Sequence, residues 1–240
     1  MATLFISDLH LEADRPEIGA QFLEFLAGPA RAADALYILG DLFVAWIGDD
    51  DPSPYYADMK AAIRDLADSG VPVFFMHGNR DFMIGESFAR EAGVTILEDP
   101  CVIELHGEKI LLSHGDYLCT DDVEYQQVRA MTRNPEWQAM MLAKSVEERS
   151  AFARQARQQS QARYGTLNEE ITDVNQDAVE AAIREHEVKV LLHGHTHRPA
   201  VHPFHVDERP VHRIVLGDWS EQGSAVDWDA DGPRLEELPR

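Results

Sequence analysis

Five short apolar runs in this chain end on side chains that can donate to a metal ion, and this recurrence restricts the fold more than any other feature. The motifs are "SDLH" with Asp8 and His10, "LGDL" with Asp41, "HGNRD" with Asn79, "LSHGD" with His114, and "HGHTH" with His195 and His197. Asp8 and Asp41 are 33 positions apart, and Asp41 and Asn79 are 38 apart. Each interval suits one βα unit. In open α/β sheets the strands deliver ligand-binding residues to the crevice at their carboxyl ends, so donors distant in sequence are expected to converge there. One such motif is ordinarily a turn or a solvated histidine. Five in this order point to a metal site.

The hydrophobic period supports that arrangement. "ATLFIS" and "ALYILG" read as buried strands, and between them "PEIGAQFLEFL" repeats apolar residues at helical spacing (Ile18, Phe22, Phe25, Leu26), with Pro16 suited to a first turn. The spacing then predicts a helix near residues 55–69, the strand "VPVFFMHG", a short helix around Glu86 to Glu91 and the strand "VTIL". "CVIELHGEKILLSHG" reads as a hairpin turning at His106 to Lys109. A Gln- and Arg-rich helical stretch, the helix "QDAVEAAIREH" and the strand "KVLLHG" follow, and "AVHPFHV", "VHRIVLG" and "SAVDWD" read as antiparallel strands. Mixed pairing with helices on both sides predicts an α/β sandwich, a single domain over 1–240 with an inserted excursion.

Charge narrows the function. A formal net charge of −22 repels nucleic-acid phosphate and argues against a nucleic-acid partner. The segment from Tyr125 to Asn168 differs, with seven Lys/Arg against three acids, or +4. No apolar run is long enough for a membrane span or a signal peptide, so a cytoplasmic protein is expected. Cys101 and Cys119 lack zinc-site spacing and read as buried free thiols. Asp49, Asp50 and Asp51 read as a solvated loop.

The five motifs resemble those of the calcineurin-like metallophosphoesterases, D-x-H, G-D, G-N-H-D/E, G-H or S-H, and G-H-x-H, over nearly the whole chain. That resemblance implies a sandwich of two mixed β-sheets flanked by helices. It also implies that Asp8, His10, Asp41 and His197 hold one metal and Asp41, Asn79, His114 and His195 the other, with Asp41 bridging. His193 has no slot in the motif and reads as a packing or orienting residue. Two divalent ions, less the charges of Asp8, Asp41 and a hydroxide, leave a centre of +1 for an anionic phosphate. Imidazole and carboxylate donors suit Mn²⁺, Zn²⁺ or Fe²⁺ over Ca²⁺.

One departure bears on the substrate. Many family members carry a His after the Asn ligand, able to protonate a poor leaving group; here Arg80 stands in that place. Arginine cannot give up its proton but can bind phosphate in bidentate fashion, which suits a pyrophosphate whose leaving group is itself a phosphate. An ion pair with Asp81 is the alternative for Arg80, and the two are compatible.

The fuller set, "LGDLFVAWIGDDD", "SHGDYLCTDD", "DVNQ" and "LLHGHTHRPAVH" included, is similar to the UDP-2,3-diacylglucosamine hydrolase branch of that family. This resemblance implies cleavage of UDP-2,3-diacylglucosamine to UMP and 2,3-diacylglucosamine 1-phosphate in lipid A synthesis, with two Mn²⁺ per chain, Zn²⁺, Fe²⁺ or Mg²⁺ remaining open. It further implies Arg80 and His195 as catalytic residues, substrate contacts from Asn79, Arg80, Asp122, Ser160 and His195, and contacts at positions 164 and 167. There Tyr164 and Leu167 replace the polar residues common in that branch. A helical lid over about 121–168, carrying Trp137, Met140, Met141, Leu142, Val146 and Phe152, is expected to shelter acyl chains. Its positive charge would approach the anionic inner-membrane surface from the cytoplasmic side. No protein partner is inferred. The competing functions on the same fold are a nucleotide pyrophosphatase or phosphodiesterase with a non-lipid substrate, a nuclease, a phosphoprotein phosphatase and a non-catalytic scaffold. A nuclease would want a basic groove, and a scaffold would have lost ligands.

Overall fold

Apolar runs buried on both faces form the parallel centre of each of two sheets. In the computed structural model, which describes residues 2–164 and 171–240, the first sheet has six strands and the second five. β1 (Thr3–Ile6), β2 (Ala35–Ile38), β3 (Val73–Met76) and β4 (Val94–Leu97) run parallel, and β10 (Gly223–Asp229) and β11 (Gly232–Leu238) extend the sheet antiparallel beyond β1. In the second sheet β6 (Glu108–Ser113), β7 (Val190–His193) and β9 (Arg209–Val215) are parallel, flanked by antiparallel β5 (Cys101–Leu105) and β8 (Ala200–Val206).

Alternation along β1 explains how one strand serves two cores. Phe5 points between the sheets, where it stacks on Tyr37 with ring centroids 5.0 Å apart and joins Leu112, Leu192, Ile214 and Trp228. Leu4 and Ile6 point the other way, against α1 (Pro16–Ala27), α2 (Pro54–Asp68) and α3 (Glu86–Ala92), which bury Phe22, Phe25, Ile63, Leu66 and Phe88 there. On the outer face of the second sheet, α7 (Gln176–Glu185) buries Val179 and Ile183 over Leu111 and Leu191. Helix starts follow side-chain chemistry: Asn175 accepts the Ala178 amide at the head of α7, and Pro16 occupies the first turn of α1.

Between β6 and α7 lie α4 (Val123–Thr132), α5 (Pro135–Leu142) and α6 (Val146–Tyr164). They contribute little to the cores: α4 buries no residue and α5 only Met141. Val123, Val128, Met131, Met140, Leu142 and Phe152 stay exposed on them. β11 is the one strand without a sequence signal, since Arg234, Glu236 and Glu237 interrupt it. It forms because β10 offers it a free edge, in the register Val226↔Leu235, and its charges blunt the new edge. Cys101 is half-buried and Cys119 buried, both unpaired; burial pushes their thiols up to about 11 and about 12.

Candidate metal centre and the cavity beside it

All seven donors named from the sequence lie beyond the carboxyl ends of parallel strands. Asp8 and His10 follow β1, Asp41 follows β2, Asn79 follows β3, His114 follows β6, and His195 and His197 follow β7. The two sheets thus aim their strand ends at one place. Five of the seven, Asp8, His10, Asp41, His195 and His197, have positive φ between 52° and 67°. For non-glycine residues this region is costly, and such strain clusters at functional sites. The neighbouring glycines permit close approach: a Cβ on Gly78 would lie 2.1 Å from Asp41 Oδ1, and one on Gly194 would lie 2.3 Å from Asp8 Oδ2.

The donors form two adjoining groups. In the first, His10 Nε2 and His197 Nε2 are 3.2 Å apart, and His197 Nε2 is 3.3 Å from Asp8 Oδ1. In the second, Asn79 Oδ1 is 2.9 Å from His114 Nε2 and 2.8 Å from His195 Nδ1. Asp41 joins them, with Oδ2 3.8 Å from His10 Nδ1 and Oδ1 3.8 Å from His114 Nε2. Asp8 also approaches both: one set of ligand atoms within 4.8 Å of each other is Asp8, His10 and His197, another is Asp8, Asp41 and His114.

Whether these residues suit metal ions can be judged from what they lack. Asp8 Oδ1 and His10 Nδ1 are buried without a hydrogen-bond partner, a costly state that a cation would relieve. Surrounding bonds fix the remaining atoms. Asp8 Oδ2 accepts from Ser7 Oγ at 2.6 Å and the His195 amide at 2.9 Å, while Asp41 Oδ1 accepts the Arg80 amide at 2.8 Å. His114 Nδ1 lies 2.9 Å from the Leu39 carbonyl, so it carries the proton and, in the neutral ring, leaves Nε2 as the lone-pair donor. Without a cation the charges are in conflict. Burial pushes His114 down, but Asp41 and Asp8 outweigh it and raise its pKa to about 9. Burial and the His114 charge lower His195 to about 3. Burial raises Asp41, whereas at Asp8 His197 overcomes burial and lowers the carboxyl. Two neutral or anionic clusters with orphaned lone pairs fit divalent cations.

Three neighbours set this geometry. Asp81 does not pair with Arg80; its carboxylate accepts the amides of Leu42 at 2.7 Å and Gly78 at 2.8 Å, fastening the loop after β2 to the loop after β3. Arg80 instead places Nε 3.4 Å from Asp41 Oδ2. His193 is fully buried, with Nδ1 2.8 Å from the Gly194 carbonyl and Nε2 accepting from Arg213 at 3.3 Å. It backs the site and faces no donor group.

A cavity of about 860 Å³ opens beside the donors, lined there by Asp41, Asn79, Arg80, His195 and His197 and farther out by Trp46, Phe82, Trp137, Met141 and Phe152. Helices α4, α5 and α6 form its far side. Ser160 lines it too. Asp122 does not: it is buried, caps α4 through the Tyr125 amide at 2.9 Å, and receives Arg163 Nη1 at 2.9 Å. The side chain of Tyr164 and the whole of Leu167 lie outside the described residues.

Residues 1–199 match the family model described as calcineurin-like phosphoesterase. This chain belongs to that family. It is 54% identical over 247 residues to a UDP-2,3-diacylglucosamine hydrolase of Stenotrophomonas maltophilia (strain K279a), with 100% of both chains covered. It is 52% identical over 239 residues to one of Escherichia coli O17:K52:H18, again with 100% of both covered. Among solved structures, an archaeal phosphodiesterase aligns with a TM-score of 0.50 at 16% identity, covering 99% of this chain and 100% of that one. That likeness concerns the fold alone.

Within the calcineurin-like family assignment, the structure adds residues that the motifs do not mark. Asp116 is fully buried; its Oδ2 accepts from the Tyr125 hydroxyl at 2.6 Å and forms an ion pair with Arg129, Nε lying 2.9 Å away, and the Tyr125 ring stacks on His195 with centroids 5.7 Å apart. "SHGD" contained Asp116, but nothing in the sequence shows that its partner is nine residues on. The positive charge of the inserted helices also turns inward. Arg149 pairs with Asp50, Arg157 with Glu12 and Arg163 with Asp122. The aspartates at 49–51 are accordingly no solvated loop: Asp49 accepts Trp46 Nε1 at 3.0 Å and the amides of Gly85 and Phe88 at 3.0 and 2.9 Å.

Proposed function

We propose that this chain hydrolyses the pyrophosphate bond of UDP-2,3-diacylglucosamine, yielding UMP and 2,3-diacylglucosamine 1-phosphate for lipid A synthesis, at a centre of two divalent cations, with Mn²⁺ the first candidate. One observation carries the reading: the donor groups open onto a large apolar cavity in a chain 52–54% identical, end to end, to curated UDP-2,3-diacylglucosamine hydrolases. Asp8, His10, Asp41 and His197 would hold one cation and Asp41, Asn79, His114 and His195 the other. When bound, such a pair supplies Lewis acidity toward phosphoryl oxygens and an acidified water.

The chain's own residues do the rest. Arg80 lines the cavity beside Asp41, where its guanidinium can take two phosphate oxygens and stabilise charge on the departing phosphate. No proton donor is needed for a leaving group that is already a phosphate. His195, its pKa lowered by burial and by His114, stays neutral and serves as donor to the cation and the substrate. Ser160 and the Asp122–Arg163 pair line or back the polar end of the cavity, and Trp46, Phe82, Trp137, Met141 and Phe152 receive the acyl chains. Helices α4 to α6, which end at Tyr164 within the expected lid segment of about 121–168, act as the lid that keeps water from them.

No helix among the described residues is long and apolar enough to cross a membrane. Peripheral contact with the cytoplasmic face of the inner membrane is supported by exposed apolar side chains of the lid that do not line the cavity, Val123, Met140 and Leu142. The test is product analysis with purified UDP-2,3-diacylglucosamine and Mn²⁺-loaded protein. UMP and the diacylated 1-phosphate are expected; equal cleavage of UDP-N-acetylglucosamine would reassign the chain as a pyrophosphatase for non-lipid substrates.

A further inference from the structure

We propose that a second, smaller concavity on the His10 side of the metal centre is the ribose subsite for the nucleotide half of the substrate; this rests on the pyrophosphate-hydrolase reading above. A pyrophosphate that lies across the two donor groups carries one substituent to each side. The apolar cavity meets the donors through Asn79 and His195 of the second group, the shared Asp41, and His197 of the first; His10 lies outside its lining. That leaves the His10 side of the centre to the nucleotide.

There a concavity of about 130 Å³ is lined by His10 together with Glu12, Arg15, Arg80, Arg157 and Asp218. That is room for roughly four waters by their share of liquid volume, on the scale of one sugar ring. Arg80 and Arg157 line both this concavity and the large cavity, so the guanidinium of Arg80 stands at the divide, where the pyrophosphate would sit. The base would extend beyond the open mouth.

The lining chemistry selects a neutral, hydroxyl-bearing group. Arg157 neutralises Glu12 with Nη1–Oε2 at 2.9 Å and Nη2–Oε1 at 3.4 Å, and Arg15 is engaged by Glu17 at 3.1 Å and by the Ser220 carbonyl at 2.8 Å. Asp218 has no such partner: Oδ2 accepts the Ser220 amide at 3.2 Å, and Oδ1 accepts no hydrogen bond within the described residues. A carboxylate with a free oxygen repels phosphate and seeks hydroxyl donors. A ribose diol supplies them, as carboxylates bind ribose hydroxyls in dinucleotide folds. The loop is tied to the centre, since the Trp219 amide donates to the Asp8 carbonyl at 3.2 Å, so a sugar held by Asp218 is held in register with the cations.

The experiment compares kcat/KM of Mn²⁺-loaded protein for UDP-diacylglucosamine and for its 2′-deoxyuridine and 3′-deoxyuridine analogues, in the wild type and in Asp218→Ala, with Mn²⁺ content measured in both. The wild type is expected to lose roughly tenfold or more on at least one deoxy analogue, the scale of one hydrogen bond to a charged group. Asp218→Ala, with unchanged Mn²⁺ content, is expected to cleave all three substrates at the same lowered efficiency. Equal cleavage of all three by the wild type overturns the ribose subsite and leaves the lipid-hydrolase reading standing. Discrimination that survives in Asp218→Ala moves the diol elsewhere and overturns the assignment, as does loss of Mn²⁺ from the variant together with its activity. Failure to cleave even the parent compound removes the reading on which the subsite rests.

Discussion

Arg149, at the start of α6, reaches Asp50 in the loop after β2 with both terminal nitrogens, Nη1 lying 2.7 Å from Oδ1, and donates to the Ile47 carbonyl at 2.6 Å. Eight residues on, Arg157 takes Glu12, and Arg163 takes Asp122. The sequence of α6 is polar on every side, so it is held across the cavity by these straps more than by apolar burial. Screening should loosen it. Raising ionic strength from about 0.1 M to about 1 M shortens the Debye length from about 10 Å to about 3 Å, and hydrogen exchange of α6 amides is expected to accelerate while KM for the lipid substrate rises. Asp50→Asn should reproduce both effects at low salt. Exchange in α6 that ignores salt and the variant alike would show that burial, not charge, holds the helix.

Asp41 is the carboxylate whose two oxygens face different donor groups. Asp41→Ala is therefore expected to damage activity more than loss of any other ligand, and to reduce bound Mn²⁺ below two per chain when counted by elemental analysis after gel filtration. Chelation should abolish turnover and Mn²⁺ restore it. Full turnover after exhaustive chelation would refute the metal centre.

His114 connects metal binding to pH. Its pKa of about 9 in the metal-free protein lies above the ordinary 6.5, so its contribution to folding is complete below about pH 6.5 and is lost as pH rises through about 9. A cation needs the neutral ring, so binding near pH 7.5 should expel a proton, and apparent affinity should climb toward pH 9. Calorimetric titration of Mn²⁺ in buffers of different ionisation enthalpy counts that proton. A count of zero would contradict the assignment.

Arg80 acts through a planar pair of donors. Arg80→Lys keeps the charge and loses the fork, and turnover is expected to fall roughly 10²-fold, the scale of losing one preorganised donor. Equal rates in the lysine variant would mean that a diffuse positive charge suffices.

The apolar wall predicts chain-length dependence. At about 0.8 kcal/mol per buried methylene, removing four in total should cost about 3 kcal/mol, on the order of 10² in kcat/KM. Trp137→Ala and Met141→Ala are expected to impair the diacylated substrate selectively, measured against UDP-N-acetylglucosamine. Uniform losses on both substrates would place these residues in structural support of α5.

By itself the sequence determined the order of strands and core helices through β10 and put the seven candidate donors at strand ends, because period and punctuation are local properties; it showed only one helical stretch where α4, α5 and α6 form. It also located Arg80 through its place after Asn79. Only the tertiary structure decided which groups meet. Asp81 clamps two loop amides and leaves Arg80 to Asp41; Asp116 holds Tyr125 against His195; the arginines of α6 pair with Asp50, Glu12 and Asp122. Each of these choices is a competition among several nearby partners, settled by distance and burial after the sheets have packed. The same holds for β11, whose charged run pairs only because β10 leaves an edge. Donor types are written along the chain, but the orphaned lone pairs that call for cations exist only once the strands have brought them together.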